Sequence, residues 1–227
     1  MKGFLSASWR IARKDLRIEL RTKEVVVTTG LFALLVVVLS SLAFYLSKGL
    51  AQRIAPGVLW VAIAFSGIMA VGRSWERERD HQVLRALLLA PIPRGALFVG
   101  KLLANLLFVF AIEAIVLPLT ALFFHVDLLP ILPMLLALLA LGTLGFVAAG
   151  TLFGALSARS SSARDLVLSL VVFPLIAPAL LGAVVATRDL FAGASFWELL
   201  GWLRALVAFD LIFLAAGVTL FDPLLAD

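Results

Sequence analysis

Six stretches of mostly apolar residues set the limits on what this chain can become. They run over 25–46, 54–72, 101–124, 129–156, 166–186 and 199–221. A helix needs about 20 such residues to cross a bilayer, and in lipid each backbone N–H and C=O must be satisfied within a helix or a closed barrel. The runs are continuous rather than alternating. They predict an all-α integral membrane protein of six transmembrane helices, a single transmembrane domain over 1–227. The chain is 63% hydrophobic with mean hydropathy +1.13, whereas soluble domains are about 45–50% apolar. No stretch is left for a second, soluble domain. No G-x-x-x-x-G-K-[ST] run is present, which argues against ATP binding through a P-loop. Cysteine is absent, which excludes disulfides, iron–sulfur ligation and thioether haem attachment. His81 and His125 are the two histidines, too few for a multi-histidine metal site within one chain.

Charge gives the orientation. With the N-terminus inside, fifteen of the nineteen Lys and Arg fall in inner segments, and Lys48, Arg53, Arg188 and Arg204 remain for the outer side. The positive-inside bias then puts both termini in the cytoplasm. The run 25–46 is long enough to span and reads as a retained helix rather than a cleaved secretory signal. Residues 187–198 form a longer outer link with Phe191, Phe196, Trp197 and Gly193, a candidate for a short helix at the membrane surface.

Residues 1–23 read as an amphipathic helix. Leu5, Trp9, Ala12, Leu16 and Leu20 follow helical spacing, with Arg10, Lys14, Arg17 and Arg21 as the opposing stripe. Such a helix lies in the headgroup plane. Two compatible readings stand: a basic collar on anionic lipid, or an elbow that transmits motion or touches a partner. Basic residues spread along a membrane surface do not make a nucleic-acid site.

Between the second and third runs lies a charged block, 73–94, reading RSWERERDHQVLRALLLAPIPR. A helix over 75–90 would carry Glu76, Arg77, Glu78, Arg79 and Asp80 in its first turns, then Gln82 and Arg85. Val83, Leu84, Leu87 and Leu88 give it an apolar stripe. Pro91 ends it, and Pro91-Ile92-Pro93 makes a stiff corner. A short helix projected on such a corner, polar at its tip and apolar at its base, would dock in a groove of a soluble protein. The competing reading is a solvated connector with intrahelical ion pairs, each worth only about 0.2–0.5 kcal/mol.

The segments KDLRIELRTKE, RIAPGVLWVAIAFSGIM, LFVGKLLANLLFVFAIEAIVLPL, GTLGFVAAGTLFGAL and WLRALVAFDLIFLAAGVTLF, with the charged block, resemble the CcmB family nearly end to end. The charged anchors and Ala55-Pro56-Gly57, in fixed order, carry the specificity; the short acidic end 221–227 is also similar. The resemblance implies a fold like that of exporter-type ABC permeases, with a coupling helix between the second and third spans, here 76–90. It implies a permease subunit of an ABC complex in cytochrome c maturation, in the bacterial cytoplasmic (inner) membrane. The implied partners are a CcmA-like ATPase, CcmC-like and CcmD-like membrane subunits and a CcmE-like haem chaperone. ATP would be hydrolysed by the partner. Haem would be handled by the complex, with no cofactor held by this chain. Cassette ATPases work in pairs and one chain offers one coupling loop, so a second copy of this chain is expected. The rival readings are a generic exporter permease for a lipid or other small hydrophobic substrate, an intramembrane enzyme, and an undriven scaffold.

At membrane depth stand Asn105, Glu113 and Asp210. Ionisable groups in a span usually face the bundle interior. Glu113 reads either as a protonated carboxyl bonded to a neighbouring helix or as a pathway residue. Arg204 reads as snorkelling to the outer headgroups or as pairing with Asp210. His125 reads as a helix-end residue, with a haem-ligand reading as its alternative. Gly142, Gly145, Gly150 and Gly154 recur near one face of the fourth span, which fits internal packing or a dimer seam. Pro174 and Pro178 predict a kink in the fifth.

Overall fold

The computed structural model describes residues 2–44, 48–80, 92–157 and 162–226, with backbone alone for Lys2, Lys48, Arg79, Asp80, Ser157, 162–173 and 223–226. Its helices are α1 (Lys2–Thr22), α2 (Glu24–Ala43), α3 (Lys48–Asp80), α4 (Arg94–Phe124), α5 (Leu132–Ser157), α6 (Ser162–Phe191) and α7 (Phe196–Ala226), with a 3-10 turn at Leu129–Ile131. The described residues contain no strand. Six helices, α2 to α7, are long and apolar enough to cross a membrane, as the six runs predict. They alternate in direction, and cross-links between them sort into two faces: one with the ends of α3 and α4 that flank 81–91, and the face opposite.

One residue converts the amphipathic helix into the first span. Lys23 is left-handed at φ 52°, and its N–H bonds to the Glu19 carbonyl at 2.6 Å. The Glu19 carboxylate then accepts the N–H of Val26 at 2.9 Å, satisfying a donor in the first turn of α2. Glu19 therefore caps the helix that follows its own.

The face of α1 that packs on the bundle differs from the predicted stripe. Ala7, Ser8, Ile11, Ala12, Asp15 and Glu19 are the buried positions, while Leu5, Trp9 and Leu20 point outward. The large apolar residues are thereby left free for a headgroup layer. Small side chains allow the close approach to α4, where a Cβ at Gly100 would overlap Ile11 and the Ser8 carbonyl.

α5 packs against α3, α4, α6 and α7. A Cβ at Gly142 would overlap the Trp60 ring, one at Gly154 the Trp75 ring, and one at Gly145 would meet Phe209 and Asp210. The glycine face of the fourth span thus receives α3 and α7 within the same chain. Without a hydrophobic drive between helices in lipid, this close packing is what holds them together.

Several boundaries depart from the sequence-based expectation, among them the start of α4, at Arg94 rather than 101. α3 continues past residue 72 to Asp80, so the first turns of the expected loop helix are the end of the second span's own helix. No separate surface helix forms over 187–198. α6 runs to Phe191, Gly193 takes φ 91°, and its N–H bonds to the Leu190 carbonyl at 3.0 Å. α7 then opens with the carboxylate half of a capping box, the Ser195 N–H and hydroxyl both donating to Glu198 at 2.6 and 2.9 Å.

Candidate functional site

The charged residues of α1, the end of α3 and the start of α4 converge. Lys101 of α4, 1% exposed, sits with Nζ 2.6 Å from Glu78 Oε1 and 2.9 Å from Asp15 Oδ2. Its ammonium also donates to the Ser74 carbonyl at 3.2 Å. Lys14 reaches the same two carboxylates, at 2.5 Å from Glu78 Oε1 and 3.2 Å from Asp15 Oδ1. One turn along, Arg77 pairs with Glu19 at 2.9 Å, and Arg73 with Glu24 at 2.9 Å. Four acids face four bases, so the cluster is close to neutral.

Burial alone would pull the Lys14 ammonium down. The charge of Asp15 and the bond to Glu78 outweigh it, and its pKa lies above the ordinary lysine value. A cavity of about 170 Å³ lies among Lys14, Asp15, Ser74, Arg77, Glu78 and Phe108, large enough for water to share in the network.

The other side of this layer is aromatic. Trp75, 2% exposed, packs on Phe221 of α7 with ring centroids 6.3 Å apart, and Phe221 packs on Phe98 of α4 at 5.6 Å. Lys101 Nζ lies 5.3 Å from the Trp75 ring centroid, within cation–π range. Arg94, the first residue of α4, bonds to Asp222 of α7 at 3.1 Å. Both helices that flank 81–91 are therefore fixed at their bases, to α1 and α2 by charge and to α7 by aromatic rings.

The structure separates the predicted coupling residues. Glu76 is exposed, Arg77 half-buried and Glu78 buried in the cluster. Arg79 and Asp80 end α3 and are described in backbone only. Gln82, Leu84, Arg85, Leu87 and Leu88, with His81 and Pro91, lie outside the described residues. Lys14, Asp15, Glu19 and Lys101 join the site, although sequence reasoning placed Lys14 in a basic stripe and Lys101 at the start of the third span, and singled out neither Asp15 nor Glu19. The available signal was Asp15 and Glu19, two acids one helical turn apart on an otherwise basic helix.

The polar residues at membrane depth do not come together. Asn105 donates to Thr151 at 3.0 Å. Glu113 accepts a hydrogen bond from the Thr143 hydroxyl. Asp210 is buried against Gly145. Thr143 and Gly145 are two residues apart, so the carboxyls of Glu113 and Asp210 meet α5 about 200° apart around its axis. Arg204 is exposed and has no ion pair with Asp210. His125 is exposed in the left-handed region at φ 54°, ending α4, and its carbonyl accepts from Gln52 at 3.0 Å. The neighbouring Asp127 accepts the N–H of Leu129 at 3.2 Å. These are turn-forming roles. No group of three or more His, Cys, Asp or Glu suited to a metal occurs among the described residues.

Together these features define an all-α polytopic membrane protein with six candidate spans, in which both helices flanking 81–91 are anchored to an amphipathic helix. The CcmB family, described as "CcmB protein", matches residues 6–220, and the chain belongs to it. Heme exporter protein B of Paracoccus denitrificans is 32% identical over 158 residues, covering 70% of this chain and 72% of that protein. Heme exporter protein B of Bradyrhizobium diazoefficiens is 26% identical over 189 residues, covering 83% and 84%. The Escherichia coli K12 protein of the same name is 33% identical over 97 residues, and that match spans 44% of its length.

Proposed function

We propose that this chain is the membrane permease subunit of an ABC transporter complex in cytochrome c biogenesis. In this reading a CcmA-like ATPase engages 81–91 and its stalks, and this chain converts nucleotide-driven motion into a rearrangement on the far side of the membrane. There it promotes haem delivery, or release of a haem-loaded CcmE-like chaperone, beside CcmC-like and CcmD-like subunits. The chain itself hydrolyses nothing. Both termini face the cytoplasm, and two copies serve one ATPase pair.

The observation that carries the proposal is that both helices flanking 81–91 are anchored to α1. A force on 81–91 would reach Glu78 and Lys101 at once. Lys101 pairs with Asp15 and Glu78 with Lys14, both on α1, so α1 would move with 81–91 rather than lag behind it. A solvated connector has no need of a buried ion cluster, which costs desolvation that only good geometry offsets.

A generic exporter of a lipid or other small hydrophobic substrate would use the same loop. Affinity purification from native membranes discriminates the two. Recovery of ATPase, CcmC-like and CcmE-like proteins supports the haem reading. Recovery of the ATPase alone, with normal holocytochrome c in a deletion strain, supports the generic exporter.

A further inference from the structure

On the face opposite the helix ends that flank 81–91, α2 and α6 flank α3 and leave a cleft of about 360 Å³, with Phe44, Arg53, Pro56, Val61, Val184 and Arg188 among its lining residues. Gly57 forms part of its floor, and nothing lies within 4 Å of where a Cβ there would sit. The cleft is polar only at its rim. Arg53 is in the second turn of α3 and Arg188 in the last turn of α6, both at the helix ends. From Arg53 the wall runs inward to Val61, eight residues or about 12 Å along the helix. Phe44 and Val61 are 42% and 46% exposed, so the cleft opens sideways, out of the bundle. No Asp or Glu lines it among the described residues. Arg188 donates from Nε and Nη2 to the adjacent Asp189 at 3.2 and 2.9 Å, which leaves its Nη1 unused by that pair. Arg53 has no ion-pair partner among the described residues.

We propose that this cleft binds an anionic phospholipid, its phosphate held between Arg53 and Arg188 and one acyl chain laid along Val58, Val61 and Val184. Two guanidiniums against one nearby carboxylate leave the rim positive. A guanidinium meets a phosphate through paired charge-assisted hydrogen bonds. A zwitterionic headgroup would bring its own cation against that rim, which favours phosphatidylglycerol over phosphatidylcholine. The apolar wall begins where the headgroup layer would end, and a free phosphate would leave that wall uncovered. The proposal is independent of the transporter reading, since it needs only that these helix ends lie at a headgroup layer.

The test is native mass spectrometry of the full chain released from nanodiscs of mixed phosphatidylglycerol and phosphatidylcholine. The wild type is expected to keep phosphatidylglycerol in clear preference, and Arg53→Ala with Arg188→Ala to lose about tenfold of that retention, about one charge-assisted contact's worth of affinity. Val61→Trp fills the cleft with both arginines intact, and should also lose it. If the double arginine variant does not yield folded protein, Val61→Trp decides alone. Equal retention of phosphatidylglycerol by the wild type and Val61→Trp overturns the proposal. So does thermal stabilisation of the lipid-stripped protein by inorganic phosphate as large as that by phosphatidylglycerol, which would make this a phosphate site.

Discussion

Lys101 Nζ and Glu78 Oε1 stand 2.6 Å apart between the helix that enters segment 81–91 and the helix that leaves it. Both side chains are buried, at 1% and 4% exposure. The stalks are therefore closed on each other, and Asp15 closes them on α1. In the proposed cycle the stalks and α1 move as one body.

Removing the cation should be costly. Lys101→Met leaves Asp15 and Glu78 with Lys14 alone, and breaking a buried pair from one side typically costs about 3–5 kcal/mol. Adding Glu78→Gln should recover part of that loss, because the two sites share one interaction. Thermal unfolding of the four proteins in detergent measures this. Strict additivity would show that the pair makes no coupled contribution.

The glycines of α5 give a graded test of packing. Gly154→Leu forces a side chain into the space of the Trp75 indole, whereas a Cβ at Gly150 meets Val71 at an ordinary 3.6 Å. Overpacking typically costs about 1–3 kcal/mol. Gly154→Leu should lower the yield of monodisperse protein sharply, and Gly150→Ala should leave it near wild type. The reverse order would mean that α5 is packed from another face.

The spans were legible because hydropathy and length specify them without tertiary information. The loop base was not. Glu76 and Glu78 look alike in the sequence, yet one is exposed and the other is buried against Lys101. The difference arises because α3 continues to Asp80 and presents Ser74, Trp75 and Glu78 inward, a phase set by the glycine that admits Trp75. Lys101 was hidden for a similar reason. A lysine at a helix start reads as a topology signal, and only the arrival of Asp15 from a separate helix makes it a hub. The bundle-facing side of α1 was not legible, because the pattern marks the apolar stripe for the headgroup plane and gives no sign of which residues meet α4. Against α4 the close approach selects Ala7, Ser8 and Ile11 on α1, and Leu5, Trp9 and Leu20 turn outward.

Topology follows from charge and is separately testable. Reporter fusions after residue 222 should read as cytoplasmic, and a cysteine placed at residue 193 should label from outside. An external C-terminus would overturn both the six-span orientation and the placement of 81–91 within reach of an ATPase.

The sharpest prediction separates the loop from its base. By sequence pattern Leu84, Leu87 and Leu88 are the apolar stripe that would anchor an ATPase in the proposed coupling, and anchors of this kind typically cost more than about 1 kcal/mol when truncated, rim charges less. Leu84→Ala with Leu87→Ala should therefore release the ATPase while the subunit stays inserted and thermally normal. Glu76→Ala should be mild in both respects, since Glu76 is exposed. Glu78→Gln should do the opposite of the leucine pair, lowering thermal stability first, because it removes charge from the buried cluster rather than from a docking surface. Co-purification of the ATPase, unfolding temperature and holocytochrome c yield, measured on the same three variants, give each its own signature. If the leucine pair retains both the ATPase and the cytochrome, segment 81–91 is a connector, and the cluster beneath it serves stability alone.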